Sequence, residues 1–565
     1  MPFASSSTVR AFSSRSIPIL TASALSLTIY STHTYLSKPL LLEEIAPDSL
    51  STSIKKQKTA LASSAAPFTP YGWGANRNLT LLPDTNIGYV RRPAALTQLG
   101  STPLRDLVLA ENYGACVDAS GDCWIWGNGY DRSGEVGKTL RGKGLKKLAP
   151  AQAKLFALSK HGSLYVFSPS RTLQADRQDK SSQSWWSYLF STDPGVDFVE
   201  LKAEGGLGWG EKWAGVSAGR SHLLAVTNRG RTFSLPLSPS ANSHRQLGIK
   251  RELEQPTSVP TILGEPFTPE KDIRYATTLT EIPSLSKLRI TQVATSDRTS
   301  FVRTADGHVL GFGANENGQI GLGSAASVDI VPVPVEVVLA RGYPAGTKVE
   351  CTDVQAGGNT TFFTVKRSFP GRRGIFIELL GCGSGIAGAL GTGMYTSATG
   401  MPVRVKTISG LQEYSEKLNT FLPIGIHSLS ISPSTNTHVY ATLDTVTLAD
   451  QKGVKDGIYG KDVMAWGANV DYQIGNGKRS STAIPQHLPP IGLKAIDALS
   501  IEPAFAEAAL SSGTQSPMPH SRLQLHAKKA DAYDLRGKLI RRKVKCEETI
   551  VAGYNASVLY NKILE

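Results

Sequence analysis

The side chains that most often carry catalysis are few and scattered in this 565-residue sequence. Its ten histidines include His222, but no second histidine or acid stands near it at the spacing of metal ligands. The five cysteines form no C-x-x-C pair and are too sparse for a disulfide framework, so we expect buried free thiols. We therefore expect no catalytic residue, no metal and no cofactor.

Two glycine-rich strings have the look of phosphate-binding loops. Gly381-Cys382-Gly383-Ser384-Gly385 lacks the downstream spacing of a dinucleotide fingerprint, and no βαβ pattern surrounds it. The string that begins at Gly313 carries Gln319 where a P-loop needs lysine. Both strings are predicted to be turns between strands.

The first 38 residues have the composition of a mitochondrial presequence. They are rich in Ser and Thr and carry basic residues, and the first acid of the chain is Glu43. Residues 17–36 contain no charged side chain and are about long enough to cross a hydrocarbon core of roughly 30 Å. This stretch is interpreted either as part of a cleaved presequence or as a single inner-membrane anchor, with a secretory signal as a third interpretation. Residues 39–66 are predicted to be a polar linker.

The composition of the whole chain favours an all-β fold. Gly (54) and Pro (32) are frequent beside 8 Trp, 18 Tyr and 17 Phe, as in chains of many short strands joined by tight turns. The formal net charge of +14 permits contact with nucleic acid or an anionic membrane, and it also fits residence in the mitochondrial matrix. The net charge alone does not distinguish these three possibilities.

A short aromatic–glycine pattern recurs along residues 67–565. An aromatic residue and a glycine end a strand and are followed by a turn rich in Gly and Asn. Two copies continue as Gln-Ile-Gly, at Gly321 and Gly475, and a degenerate copy surrounds Gly381. The clear copies are Trp73-Gly74, Trp126-Gly127, Phe312-Gly313 and Trp466-Gly467.

A second pattern precedes the first and consists of Ala-Gly, a polar turn and an alternating strand. Its clearest copy runs through Gly219 and His222, and the last copy runs through Gly553. Alternation predicts strands with one packed face, and we expect the His222 ring to bond backbone within its own repeat. One such unit cannot bury its faces alone, so several must stack. The predicted strand starts are Val108, Leu155, Val216, Val293, Val354, Leu429 and Val551.

The combined pattern resembles the regulator of chromosome condensation repeat. The resemblance covers roughly residue 71 to the end of the chain; it is strong around Phe312 and Trp466 and poor around Phe167 and Phe233. It implies the fold of that family, a seven-bladed β-propeller. The family includes nucleotide-exchange factors for small GTPases, ubiquitin-ligase modules and mitochondrial members.

The two ends of the body carry complementary halves of one repeat. Trp73-Gly74 begins the body with no Ala-Gly strand before it, and the Ala-Gly strand at Gly553 has no aromatic–glycine strand after it. Pairing these ends removes the open sheet edge of the ring. We therefore expect an all-β, seven-bladed propeller closed by its N- and C-terminal strands.

Long insertions separate some of the repeats, with residues 171–200 and 240–285 among the longest. The first of them contains Trp185 and Trp186. We expect these rings either to fold back on the propeller rim or to form an exposed aromatic patch for a membrane or a partner.

The stretch from residue 522 to residue 545 is strongly basic. It includes Arg541, Arg542 and Lys543. The default prediction is a solvated pair of strands, and the alternative is a contact with an acidic partner or with rRNA.

Leader and degenerate propeller together resemble the fungal mitochondrial inner-membrane member of the family that is linked to assembly of respiratory complex III. This resemblance implies a non-catalytic scaffold whose partners are respiratory-chain subunits or assembly factors. Two alternatives stay open: an exchange factor for a mitochondrial GTPase, and a factor that binds rRNA during assembly of the mitochondrial ribosome. Nucleic-acid binding has no motif to support it.

Overall fold

Strands make up nearly all of the regular structure in the computed structural model. The structure describes residues 68–175, 196–250, 261–262, 265–266, 268–323, 328–369, 374–415, 419–445, 460–491 and 522–564. These residues belong to one compact unit. Helical segments among them are α1 (Arg171–Ala175) and the short 3-10 turns Thr97–Leu99, Pro283–Leu285, Leu339–Gly342 and Ile386–Gly388. No helix in this described part is long and apolar enough to span a membrane, and residues 17–36 lie outside it.

The first half of the ring is built from strands that pair mostly with their neighbours in the chain. Strands β1 (Tyr71–Ala75) and β2 (Tyr89–Ala95) belong to the last blade. Blade 1 contains β3 (Asp106–Leu109), β4 (Gly114–Val117), β5 (Cys123–Trp126) and β6 (Gly137–Lys138). Blade 2 contains β7 (Leu145–Pro150), β8 (Leu155–Ser159), β9 (Leu164–Phe167) and β10 (Phe198–Glu200). Blade 3 contains β11 (Lys202–Ala203), β12 (Trp213–Ala218), β13 (His222–Thr227), β14 (Thr232–Pro236) and β17 (Thr278–Glu281). A separate small hairpin, β15 (Thr261–Ile262) and β16 (Glu265–Pro266), lies between β14 and β17 in the chain.

The second half repeats this plan and brings the count to seven blades. Blade 4 contains β18 (Ile290–Thr295), β19 (Thr299–Thr304), β20 (Val309–Ala314) and β21 (Ile330–Glu336). Blade 5 contains β22 (Lys348–Gly357), β23 (Thr360–Ser368), β24 (Ile375–Gly383) and β25 (Thr399–Arg404), followed by the hairpin β26 (Gln412–Ser415) and β27 (Thr420–Pro423). Blade 6 contains β28 (Gly425–Ile431), β29 (His438–Asp444), β30 (Lys461–Gly467), β31 (Thr482–His487) and β32 (Gln524–Leu525). Blade 7 contains β33 (Ala527–Tyr533), β34 (Leu539–Ala552) and β35 (Ala556–Ile563), completed by β1 and β2.

The second strand of a blade is buried on both faces, not on one as the alternation predicts. All residues of β8 and β13 are buried, including His222 and Thr227. The reason is that each sheet lies between two neighbouring sheets, so both faces of its inner strands pack against other strands. Such strands are mostly apolar along their whole length, as in other sheets covered on both sides.

Blade 2 begins earlier than the sequence predicts. Leu155 starts the second strand, and the first strand begins at Leu145. The two strands pair from Leu145–Ser159 to Pro150–Leu155. The adjacent charged residues Lys146 and Lys147 interrupt the apolar pattern of β7, which conceals it in the sequence.

Aromatic rings fill the spaces between neighbouring blades. Phe301 of blade 4 contacts Phe363 of blade 5 edge-to-face, with ring centroids 6.0 Å apart. Phe362 of blade 5 contacts Trp466 of blade 6 in the same way at 5.9 Å. The most extended cluster of buried residues spans blades 6, 7 and 1, around Trp73. The hydrophobic core is therefore a circle of interfaces between sheets.

The chain ends close the ring, which confirms the predicted closure. Strand β1 pairs antiparallel with β35, and Trp73 lies opposite Ser557. The Trp73 indole N–H lies 2.8 Å from the Gln473 carbonyl and 2.9 Å from the Tyr440 hydroxyl, both in blade 6. Trp73 thus joins the N-terminal strand, the C-terminal strand and the preceding blade in one buried contact.

Replacement of Trp73 tests this closure. In urea unfolding, Trp73→Ala is expected to lower the free energy of unfolding by about 3–5 kcal/mol, because it leaves a cavity at the junction of the chain ends. Trp209→Ala is the control, since the Trp209 side chain is 95% exposed, and it should unfold as the wild type does. Equal unfolding midpoints for the two variants would contradict the role of Trp73.

Candidate functional site

An asparagine organises the turn after the third strand in several blades. Asn315 Oδ1 accepts the backbone N–H of Ile320 at 3.0 Å, and Asn469 Oδ1 accepts that of Ile474 at 2.9 Å. In blade 3, Asn242 Oδ1 accepts an N–H five residues later at 3.3 Å. The sequence analysis missed Asn242, although the spacing of Asn to a following Ile-Gly or Leu-Gly is the same in the three blades.

The tryptophans of the aromatic–glycine pattern bind the preceding blade. The indole N–H of Trp126 donates to the Thr80 carbonyl of blade 7 at 2.7 Å. The indole N–H of Trp466 donates to the Ala389 carbonyl of blade 5 at 2.8 Å. Trp73 makes the equivalent contact with blade 6. A buried indole N–H needs an acceptor, and the turn of the neighbouring blade supplies it.

The glycines of this pattern serve two different needs. Gly74, Gly127, Gly313 and Gly467, which follow the aromatic residue, have φ values between 98° and 111°, where other residues are strained. In the turn of blade 6, a Cβ on Gly475 would lie 2.7 Å from the indole of Trp73. In the turn of blade 4, a Cβ on Gly321 would lie 3.0 Å from Pro402 of blade 5 and 3.2 Å from the sulfur of Cys382. The turn glycines therefore let one blade approach the next.

In blade 5 the pattern is shifted from its predicted position. Gly383, with φ of 102°, corresponds to Gly313 of blade 4, and Cys382 takes the place of the aromatic residue. Gly381 lies two residues earlier in the strand, where a Cβ would come 2.8 Å from the ring of Phe362. The absence of an aromatic residue at this position concealed the true register in the sequence.

His222 binds the next blade and not its own backbone, contrary to our expectation. Its Nε2 lies 2.8 Å from Ser300 Oγ, which donates to the Gln246 carbonyl at 2.7 Å. Because the serine hydroxyl donates onward, the histidine must be the donor at Nε2, and its Nδ1 has no hydrogen-bond partner among the described atoms. The ring is therefore neutral.

Blades 6 and 7 are joined by the same three groups. His438 Nε2 lies 2.9 Å from Ser557 Oγ, which donates to the Gln473 carbonyl at 2.8 Å. A histidine beside a serine is also the geometry of an activated nucleophile. Here both serines are fully buried. Burial also lowers the pKa of each histidine to about 3, so each is neutral at neutral pH and a much weaker base than an ordinary histidine. These pairs hold blades together.

Each blade contributes to a cavity at one end of the central axis. Its volume is about 140 Å³. A Cβ on Gly219 would come 2.2 Å from the Ser296 carbonyl, and one on Gly553 would come 2.4 Å from Leu109, so only glycine fits at these two crowded positions beside the axis. We call this cavity the axial mouth; its lining includes Glu111, Gln152, Arg220, Asp297, Gly358, Thr435 and Tyr554.

The axial mouth carries charges of both signs. Burial raises the pKa of the Asp297 carboxyl, and the nearby guanidinium of Arg220 opposes this shift. Burial also raises the pKa of the Tyr554 hydroxyl, with a further contribution from Glu111. Such a mixed surface suits contact with a protein segment better than with a uniformly charged ligand.

A second cavity of about 170 Å³ lies beside the mouth, where blades 2, 3 and 4 meet. Lys154 is buried in its wall and donates to the Leu237 carbonyl at 3.1 Å. Burial lowers the pKa of the Lys154 ammonium to about 8, while Asp272 and Glu270 act in the opposite direction. The hydrogen bond to Leu237 gives Lys154 a clear structural role, because it holds the long turn of blade 3.

The predicted basic stretch forms a β-hairpin on blade 7. Strands β33 and β34 pair from Ala527–Glu547 to Tyr533–Leu539. Arg541, Arg542 and Lys543 are all exposed on it. We call residues 527–545 the basic hairpin. Trp185 and Trp186, the other predicted partner-binding residues, lie outside the described residues.

No metal site or reactive thiol stands out in the described part of the chain. It contains no group of three or more His, Cys, Asp or Glu side chains that could hold a metal ion. All five cysteines are free and buried. Burial raises the pKa of their thiols, which disfavours the nucleophilic thiolate.

The fold and the inter-blade contacts define this chain as a seven-bladed β-propeller, and part of it matches the regulator of chromosome condensation repeat. Two models of that repeat match it, one over residues 306–364 and the other over residues 290–319. The matched segments cover blade 4 and part of blade 5, where the sequence pattern is strong.

Among known proteins, the chain is similar to Protein FMP25, mitochondrial, of Saccharomyces cerevisiae. The two are 22% identical over 414 residues, which are 71% of this chain and 63% of FMP25, so the chain spans less than two thirds of that relative. The fold is that of human WBSCR16, with a TM-score of 0.54, 14% identity and coverage of 88% of this chain and all of the other. It is also that of Prp20p from Saccharomyces cerevisiae, with a TM-score of 0.51, 14% identity and coverage of 89% and 93%.

The two buried histidines make the stability of the ring depend on pH. Their pKa values are about 3 in the folded protein and about 6.5 in an unfolded chain. As the pH falls below about 6.5, the unfolded chain binds protons that the folded ring excludes, so stability falls until the pH reaches about 3. Within this range each histidine contributes up to about 1.4 kcal/mol per pH unit.

This dependence is measurable by urea unfolding near neutral pH and at about pH 5. Between these two conditions His222→Gln is expected to lose about 2 kcal/mol less stability than the wild type, because one buried neutral histidine is gone. The exposed His161 provides the control, and His161→Gln should follow the wild type. A wild-type pH dependence in His222→Gln would refute this account.

Proposed function

We propose that this chain is a non-catalytic propeller scaffold that assists assembly of respiratory complex III at the mitochondrial inner membrane. The observation that carries the mitochondrial location is the similarity to FMP25, a protein named as mitochondrial, over 71% of this chain. The presequence-like composition of residues 1–38 supports the same location. The assignment to complex III rests on the resemblance described in the sequence analysis.

The structural role of the buried polar residues supports a scaffold function. The two His–Ser pairs connect blades and are inaccessible to a substrate. What the described surface offers instead are loops, the axial mouth and the basic hairpin. A closed ring holds such surfaces in fixed positions, which suits a protein that docks unassembled subunits.

Two surfaces are proposed as partner contacts. The first is the axial mouth, where Glu111, Arg220 and Asp297 would meet charged side chains of a protein partner. The second is the basic hairpin with Arg541, Arg542 and Lys543. The repeat residues, from Trp73 to Gly553, are proposed to act structurally and not in binding.

An exchange factor for a mitochondrial GTPase is the second candidate. It is favoured by the fold shared with Prp20p, whose structure is described together with its binding properties to Gsp1p and histones. An rRNA-binding assembly factor is the third candidate, and the charge of the basic hairpin favours it.

Deletion of the gene in its own organism separates these candidates. The scaffold proposal expects loss of assembled complex III on native gels, with normal mitochondrial ribosomes and normal nucleotide release from mitochondrial GTPases. Normal complex III with defective ribosomes would instead support the rRNA-binding factor, and defective nucleotide release would support the exchange factor. Re-expression of the wild-type chain provides the control, because it should restore complex III.

A further inference from the structure

The basic hairpin lies on the face of the ring opposite the axial mouth. Strand β34 has 14 residues and is roughly 45 Å long. Its C-terminal end reaches the mouth beside Tyr554, and residues 546–552 pair with β35. Its N-terminal half pairs with β33 and extends beyond the end of the pairing between β34 and β35. The hairpin is therefore a projection from one face.

A bulge brings three consecutive basic side chains to the surface of this projection. In a regular strand, Arg541, Arg542 and Lys543 would alternate between the two faces. Opposite Asp531 the strand is bulged: Lys543 has a φ of 52°, and its backbone N–H bonds the Asp531 carboxylate at 2.9 Å. All three basic side chains are consequently exposed.

The charge of the hairpin is large and mostly uncompensated. Residues 527–545 contain eight basic and two acidic residues, so their net charge is +6 out of +14 for the whole chain. Within the described structure, no ion pair joins Arg541, Arg542 or Lys543 to an acid; Lys528 pairs with Glu548. Such a concentration of charge indicates an anionic partner.

Apolar side chains are exposed among these charges. Tyr533, Leu539 and Ile540 flank the tip of the hairpin and are 38%, 36% and 38% exposed. A phosphodiester backbone offers no apolar partner to exposed aliphatic side chains. At a bilayer surface, in contrast, basic side chains meet headgroups while Tyr, Leu and Ile enter the acyl boundary.

The hairpin is firmly attached to the rest of the ring. Ala532 and Val544 pack against Ala119 of blade 1, which fixes the inner side of the hairpin. On another side, the Lys528 ammonium lies 5.9 Å from the ring centroid of Phe68, the first described residue.

From these observations we propose that the basic hairpin binds an anionic lipid surface, with Arg541, Arg542 and Lys543 at the headgroups and Ile540 in the interface. In this orientation the axial mouth faces away from the membrane and is open to protein partners. The inference deepens the proposed function by assigning the membrane-facing side of the scaffold. It does not depend on complex III, because lipid binding is measured with the purified chain.

A fluorescent label at residue 540 tests the contact directly. Because the five native cysteines are buried, the variant Ile540→Cys of the full chain should react selectively with an NBD maleimide. Phosphatidylcholine vesicles that contain phosphatidylglycerol are expected to shift the NBD emission to the blue, and pure phosphatidylcholine vesicles are not. The control label at Lys478→Cys, an exposed position in the turn between β30 and β31 on the side of the axial mouth, should not respond. No shift at residue 540, or a shift with single-stranded RNA only, would overturn the proposal.

Charge removal provides the second measurement. The full-length variant Arg541→Gln/Arg542→Gln/Lys543→Gln is expected to weaken the vesicle affinity measured at residue 540 about 100-fold, since each basic residue near an anionic surface contributes roughly fivefold. The matched control, Arg132→Gln/Lys250→Gln/Lys478→Gln, removes equal charge from exposed sites on the side of the axial mouth and should respond like the parent. An equal response from both triple variants would overturn the assignment to the hairpin. If the chain does not bind lipid but complex III still depends on it, only the lipid contact is contradicted. If the chain binds lipid but complex III does not depend on it, only the scaffold proposal is contradicted.

Discussion

The pairing of β1 with β35 is the interaction on which the whole ring depends. Without it, blade 7 would lack its outer strands, and two sheet edges would be open to water or to other chains. Around this pairing Trp73, Tyr440 and Ser557 converge on the Gln473 carbonyl in a network without solvent contact. The same residues fill the hydrophobic cluster that connects blades 6, 7 and 1. Closure therefore combines strand pairing, hydrogen bonds and packing at one place.

Elsewhere the ring is held by repeated contacts between adjacent blades, and these contacts tolerate degenerate sequence. A turn glycine of one blade faces the third-strand residue of the next, whether this is Trp466, Phe312 or the much smaller Cys382. Polar contacts are equally local, as the pairs His222–Ser300 and His438–Ser557 show. Because each blade needs only its two neighbours, the pattern can weaken in one blade while the ring survives.

The buried His–Ser pairs and indole N–H groups connect neighbouring blades, and two features of the described surface are candidates for binding. The axial mouth presents Glu111, Arg220 and Asp297 on one face, and the basic hairpin projects from the other. One long strand, β34, connects the two faces, so their distance and direction are fixed by the ring. This arrangement is compatible with the proposed scaffold, in which one side contacts lipid and the other contacts protein.

The sequence by itself determined the all-β class, the seven blades and the closure by the chain ends, because glycine and tryptophan at fixed spacing report local turns and strand ends. Only the tertiary structure decided which blade each side chain serves. His222 binds Ser300, 78 residues away, and no pattern within one repeat contains that partner. The start of blade 2 and the role of Gly383 were misplaced because Lys147 and Cys382 replace the usual apolar and aromatic residues. The exposure of Arg541, Arg542 and Lys543 depends on a bulge and on Asp531 across the hairpin, which the order of residues alone does not reveal.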